Sequence, residues 1–95
     1  MSAKQPVILD VRTPEEYSEV RVPGSMNIDW NGPDFKDQVS KLDKNASYKV
    51  YCRSGNRSGR AMELMKTLGF QDVENLGSVD EAARKLARGC DRGPL

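Results

Sequence analysis

Tyr48-Lys49-Val50-Tyr51-Cys52-Arg53-Ser54-Gly55-Asn56-Arg57-Ser58 is the stretch from which the fold is read. It opens with apolar and β-favouring residues that suit a strand ending on Cys52. Arg53 to Ser58 is then a polar loop with one glycine. From Ser58 onward Ala61, Leu64, Met65 and Leu68 recur at helical spacing and share one face. Gly69 closes that helix, and Phe70 follows as the apolar residue beyond the cap. Strand, short loop and helix in this order form half of a parallel βαβ unit.

The same alternation extends outward on both sides. Pro6-Val7-Ile8-Leu9-Asp10-Val11 is a short apolar run rich in β-branched residues, the pattern of a strand buried on both faces. Thr13-Pro14-Glu15-Glu16 reads as a helix start: Thr13 as N-cap, Pro14 in the first turn, Glu16 completing a capping box. That helix is expected to end near Glu19. Val22-Pro23-Gly24-Ser25 is a turn, and Met26-Asn27-Ile28 a second brief strand. Phe35, Val39 and Leu42 predict an amphipathic helix over about 34–42. Downstream, Asp72 to Leu76 reads as a weak strand, and Val79, Ala82, Ala83, Leu86 and Ala87 mark a last helix. The fold class expected is α/β, a small mainly parallel sheet flanked by helices on both faces. One domain covers 1–95, with its core over about 6–87 and a flexible tail over 88–95.

Composition narrows the chemistry. The chain has 95 residues, two cysteines and no histidine. The absent histidine excludes a Ser-His-Asp triad, a Cys-His dyad and a histidine metal site. Two cysteines exclude a Cys₄ metal or iron–sulfur site within one chain. Lys+Arg 15 and Asp+Glu 14 nearly cancel, so no overall basic field for nucleic acid exists. No stretch reaches the roughly 18 apolar residues of a membrane-spanning helix. The first residues, Met-Ser-Ala-Lys-Gln-Pro, form no apolar leader. The expected location is cytoplasmic, or periplasmic if a leader was trimmed.

Any nucleophile must therefore be activated without imidazole, and Cys52 is the candidate. A strand delivers it to the C-terminal edge of the sheet, where open α/β sheets bind ligands. The loop's successive N–H groups and the following helix N-terminus favour an anion there. A free thiol near pKa ~8.5 can fall to roughly 3.5–7.5 in such a setting. Arg53 and Arg57 add fixed cations and bidentate donors for an oxyanion.

Cys52-Arg53-Ser54-Gly55-Asn56-Arg57-Ser58 resembles the active-site loop of the rhodanese family, the thiosulfate and persulfide sulfurtransferases. It is similar to the loop of single-domain rhodaneses, including the small bacterial phage-shock type. Other blocks agree in order: Asp10-Val11-Arg12 with Glu16-Tyr17, Val22-Pro23-Gly24-Ser25-Met26-Asn27-Ile28, and Leu68-Gly69-Phe70 with Val73 and Asn75-Leu76. The resemblance spans about residues 7–87. It departs from the family pattern at Gly77-Ser78-Val79-Asp80-Glu81, where many members carry Gly-Gly and an acidic helix, and the single tryptophan is Trp30. The family's usual first edge strand is absent here or confined to the first few residues.

The resemblance implies a rhodanese-like fold and a double displacement through a Cys52 persulfide. Arg53, Ser54, Gly55, Asn56, Arg57 and Ser58 would bind the substrate. A small anionic donor such as thiosulfate and a thiol or cyanide acceptor are the implied partners. No metal or organic cofactor, nucleic acid or membrane is implied, and a monomer is expected.

Plainer roles stand beside these. Cys52 could be a buried structural cysteine, Arg53 and Arg57 solvated surface charge. Asp10 and Arg12 suit a structural ion pair, and the Thr13 capping box is given no chemistry. Cys90, in a Gly-rich tail, is read as an idle exposed thiol or, less simply, a resolving cysteine. Two other functions compete. Cysteine-based phosphatases and arsenate reductases use a C-x5-R cradle, whereas four residues separate Cys52 from Arg57 here. A non-catalytic rhodanese-like interaction module is the other alternative.

Overall fold

The computed structural model describes residues 6–93. Its main sheet has four parallel strands in the order β3-β1-β4-β5, where β1 is Val7–Asp10, β3 Met26–Asn27, β4 Ser47–Cys52 and β5 Asp72–Ser78. The helices are α1 (Pro14–Glu19), α2 (Phe35–Ser40), α3 (Asn56–Thr67) and α4 (Val79–Lys85). A separate two-stranded ribbon joins β2 (Val20–Arg21) to β6 (Asp91–Arg92). The α/β class with a mainly parallel sheet is as the sequence predicts. The family's first edge strand, if built from residues 1–5, lies outside the described residues.

Alternation along the strands sends neighbouring residues to opposite faces. Leu9, Tyr48, Val50, Cys52 and Val73 meet Phe35 and Val39 of α2 and Ala61 and Met65 of α3 on one face. Ile8, Tyr51 and Leu76 meet Ala82 and Ala83 of α4 on the other. Each fully buried large apolar side chain contributes about 1.5–3 kcal/mol. The short β-branched run of β1 is explained by this double burial.

A β-bulge interrupts the β4–β5 ladder: Val50 pairs with Asn75 but Tyr51 pairs with Gly77, leaving Leu76 as the extra residue. It lies where the ladder approaches the Cys52 loop. Asp10 and Arg12 form the buried ion pair expected of them, at 2.6 Å, and the Arg12 guanidinium also donates to the Val20 carbonyl.

One expectation is corrected. The helix predicted over about 34–42 is shorter, six residues from Phe35, with Lys41 as its C-cap and Leu42 just outside. Within the stretch expected as the tail, residues 91–93 make contacts that the sequence did not suggest. There β6 pairs antiparallel with β2, the Gly93 N–H donates to the Glu19 carbonyl at 2.9 Å, and the Gly93 carbonyl accepts from Arg21 at 2.9 Å. These contacts join residues seventy or more apart in the chain, and a Gly-rich composition carries no sign of them.

Candidate active site

β4 ends on Cys52, and α3 begins four residues later, so the loop turns directly into a helix N-terminus. Gly55 makes that turn as the N-cap in the left-handed region, at φ +95. It also lies back to back with Gly77, itself at φ +92: a Cβ on Gly55 would stand 3.3 Å from the Gly77 Cα. The bulge in β5 brings Gly77 to this point.

The Cys52 side chain is buried, with its sulfur turned into the loop. The Gly55 N–H donates to Sγ at 2.9 Å and the Ser58 hydroxyl approaches it at 3.4 Å. The amides of Ser58 and Ser54 also act on it. Burial pushes the thiol pKa up, but the Ser58 hydroxyl and the three amides together outweigh it and bring the value below that of an ordinary cysteine. Amides and a hydroxyl, more than arginine, thus favour the thiolate.

Of the seven loop residues singled out from the sequence, Cys52, Ser54, Gly55 and Ser58 converge on the sulfur. The other three are placed differently. Arg53 is exposed and lines a cleft of about 280 Å³ with Arg12, Glu16, Glu19, Val20 and Val79. Asn56 is exposed at the first position of α3. Arg57 turns to α1, where its two terminal nitrogens donate to the two carboxylate oxygens of Glu16 at 2.9 and 3.1 Å. These bonds hold the Glu16 carboxyl at about 2, and hold Arg57 more firmly protonated.

Three residues given no part in the candidate site from the sequence lie against the loop. Glu16 caps α1 and grips Arg57 with the same carboxylate. Asn75 ties β5 to the loop and to α3: its Oδ1 accepts from the Ser58 hydroxyl at 2.6 Å and from the Gly77 N–H at 3.0 Å, and its Nδ2 donates to the Gly55 carbonyl at 3.1 Å. Gly77 supplies the bare backbone beneath Gly55. The available signal was a polar Asn inside an otherwise strand-like segment. Cys90 is half-buried rather than exposed. It packs with Val79 and Leu86 against the α4 face, whereas Cys52 belongs to the α3 face.

A thiol set in an amide-lined cradle at a helix start, on the C-terminal edge of a parallel sheet, defines a class of anion-handling cysteine site. The comparisons name the family. The profile described as "Rhodanese-like domain" matches residues 1–84, and the chain belongs to the rhodanese family. It is 36% identical over 81 residues to the thiosulfate sulfurtransferase PspE of Escherichia coli, covering 85% of this chain and 78% of that one. A putative sulfur carrier protein, YrkF of Bacillus subtilis, is 36% identical over 69 residues, 73% of this chain and 36% of that one. In the adenylyltransferase and sulfurtransferase uba4 of Ogataea parapolymorpha the match covers only 21% of the relative's length. Among solved structures, a rhodanese with anions from E. coli superposes with a TM-score of 0.76 at 32% identity, covering 94% of this chain and all of that one.

Proposed function

We propose that this chain is a sulfurtransferase that moves a sulfane sulfur through a persulfide on Cys52. The observation that carries the reading is the cradle itself. A buried cysteine sulfur receives amide N–H groups and a hydroxyl at the start of α3. Membership of the rhodanese family and the named activity of PspE agree with it.

The reaction is a double displacement in which no external oxidant takes part. The Cys52 thiolate attacks the outer sulfur of thiosulfate. A Cys–S bond to that sulfur forms, the S–S bond of thiosulfate breaks, and sulfite leaves with the electron pair. Cys52 then bears a persulfide whose terminal sulfur carries the negative charge, in reach of the amides that held the thiolate. A thiolate acceptor, or cyanide in an assay, attacks that sulfur and returns Cys52 to the thiolate. Exposed Arg53 meets the anionic donor at the cleft. Arg57, engaged by Glu16, sets the shape of the loop. Ser54, Gly55 and Ser58 supply the donors around sulfur, and Asn56 stands at the rim.

Intact-protein mass spectrometry tests the reading. Thiosulfate is expected to add the mass of one sulfur to the wild type and to Cys90→Ser, and cyanide to remove it. Cys52→Ser is expected to gain nothing. Sulfur found only on Cys90, or Cys52-dependent hydrolysis of an aryl phosphate, overturns it.

A further inference from the structure

Ser58 has a single hydroxyl proton and two claimants for it. Its Oγ lies 2.6 Å from Asn75 Oδ1 and 3.4 Å from Cys52 Sγ. The Asn75 amide cannot be turned round. With Oδ1 toward Gly77 N–H and Nδ2 toward the Gly55 carbonyl both contacts are favourable, and a flip would make both repulsive. The acceptor facing Ser58 is therefore fixed, and the shorter contact takes the proton while Cys52 is a neutral thiol.

We propose, resting on Cys52 as the reactive thiol, that Asn75 is a positioning residue: it holds the Ser58 hydroxyl proton in competition with Cys52 Sγ and so sets how readily the sulfur ionises. When the thiol releases its proton to water, Sγ becomes an acceptor. The Ser58 O–H then rotates from Oδ1 to Sγ, and Oδ1 keeps the Gly77 N–H. Ionisation thus exchanges one hydrogen bond for another. The thiolate is held less tightly than it would be with Ser58 permanently turned toward it. This matters because an over-stabilised thiolate is a poor nucleophile, and attack is fastest for a thiol whose pKa lies near the ambient pH.

The charged groups around the loop are Arg57 of α3 with Glu16 of α1, Arg53 in the loop, Arg12 with Asp10 at the end of β1, and Glu81 of α4, held by Ser78. None is altered by Asn75→Ala, and the charge that Asn75→Asp adds acts equally with and without the Ser58 hydroxyl, so the difference between the two backgrounds reports the hydroxyl.

The test is the pH dependence of Cys52 alkylation by iodoacetamide in a Cys90→Ala background, where one thiol remains. Asn75→Ala releases the hydroxyl to sulfur. It is expected to move the midpoint down, with thiolate formation favoured about three- to tenfold, the worth of one hydrogen bond. Asn75→Asp, nearly isosteric, binds the hydroxyl more firmly, adds a negative charge and replaces the donor to the Gly55 carbonyl with an oxygen. It is expected to move the midpoint up. Ser58→Ala alone raises the midpoint, and in that background Asn75→Ala has no further effect. A purely structural tether predicts that both Asn75 variants, by loosening Gly55, shift the midpoint the same way whether Ser58 is present or not. That outcome overturns the proposal, and so does an upward shift in Asn75→Ala. Should Asn75→Ala not fold, Asn75→Asp decides alone: its rise must shrink in the Ser58→Ala background, and an equal rise in both backgrounds overturns the proposal. Alkylation uses no sulfur donor, so these midpoints are obtained even from a protein that transfers no sulfur.

Discussion

α1 and α4 begin with the same four-residue device, yet only one of the two also grips the helix that follows Cys52. At α1 the Thr13 hydroxyl accepts from the Glu16 N–H at 3.2 Å and the Glu16 carboxylate accepts from the Thr13 N–H at 3.0 Å. At α4 Ser78 and Glu81 make the same reciprocal pair at 3.1 and 3.0 Å. Glu81 serves its own helix, and the Ser78 N–H and hydroxyl lower its pKa. Glu16 has a second obligation, the bidentate grip on Arg57 forty-one residues away. A local motif therefore says where a helix starts but not what its spare lone pairs will do. That is decided by which element the fold sets opposite them.

Charge-removing substitutions separate the two roles, because Gln at this position of a capping box still accepts from the cap. The largest effect is expected for Glu16→Gln. It keeps the cap but leaves the half-buried Arg57 without its carboxylate, a loss of about 1–2 kcal/mol once solvent access to the pair is allowed for. Urea unfolding should show it, and the rate of sulfur loading on Cys52 should fall with it. Arg57→Ala should cost a similar amount, and the double variant little more than either. Additive losses would mean that the two side chains do not act as a unit.

Acid gives the next effect. Glu16 titrates at about 2 in the folded protein against an ordinary 4.5. Between those values the unfolded chain binds more protons, so stability rises with pH across the window. The contribution is complete above about pH 4.5 and is lost as pH falls toward about 2. Unfolding midpoints measured across this range should flatten in Glu16→Gln; an unchanged acid limb would break the assignment.

The caps themselves come third. Thr13→Ala and Ser78→Ala should each cost about 1 kcal/mol. Thr13→Ala alone should also slow sulfur loading, since it loosens the carboxylate that holds Arg57. Glu81→Gln is expected to give the smallest change, with stability and loading close to wild type. A loading defect in Glu81→Gln equal to that of Glu16→Gln would erase the distinction between the two helix starts.

How far the site could be read in advance follows the same line. Cys52, the glycine turn and the helix that begins beyond it are contiguous in the chain, and spacing alone assembles them. The buried strands were legible because burial on two faces leaves a continuous apolar run. The α1 cap was legible because it spans four residues. Glu16 with Arg57, Asn75 with Ser58, and β6 with β2 were not. Each joins segments whose adjacency comes from strand order and from a one-residue bulge, and a lone Glu or Asn looks the same with or without such a partner. Arg57 is the example: its proximity to Cys52 in the chain suggested a donor for substrate and gave no sign of its bidentate contact with Glu16.

The contact between Gly55 and Gly77 bears on how the site can be altered. A side chain on Gly55 would press on the Gly77 main chain and one on Gly77 would strike the Glu81 carboxylate, and both backbones sit in the left-handed region. Gly55 rests on the Gly77 main chain, and both positions hold a positive φ that other residues rarely adopt, so the contour there is not adjustable by choosing different residues. The adjustable ground is the exposed rim, Arg53, Ser54 and Asn56, where a new side chain projects into solvent or into the cleft beside Arg53. Re-engineering of this protein toward another donor should therefore succeed at those three positions and stall at the two glycines.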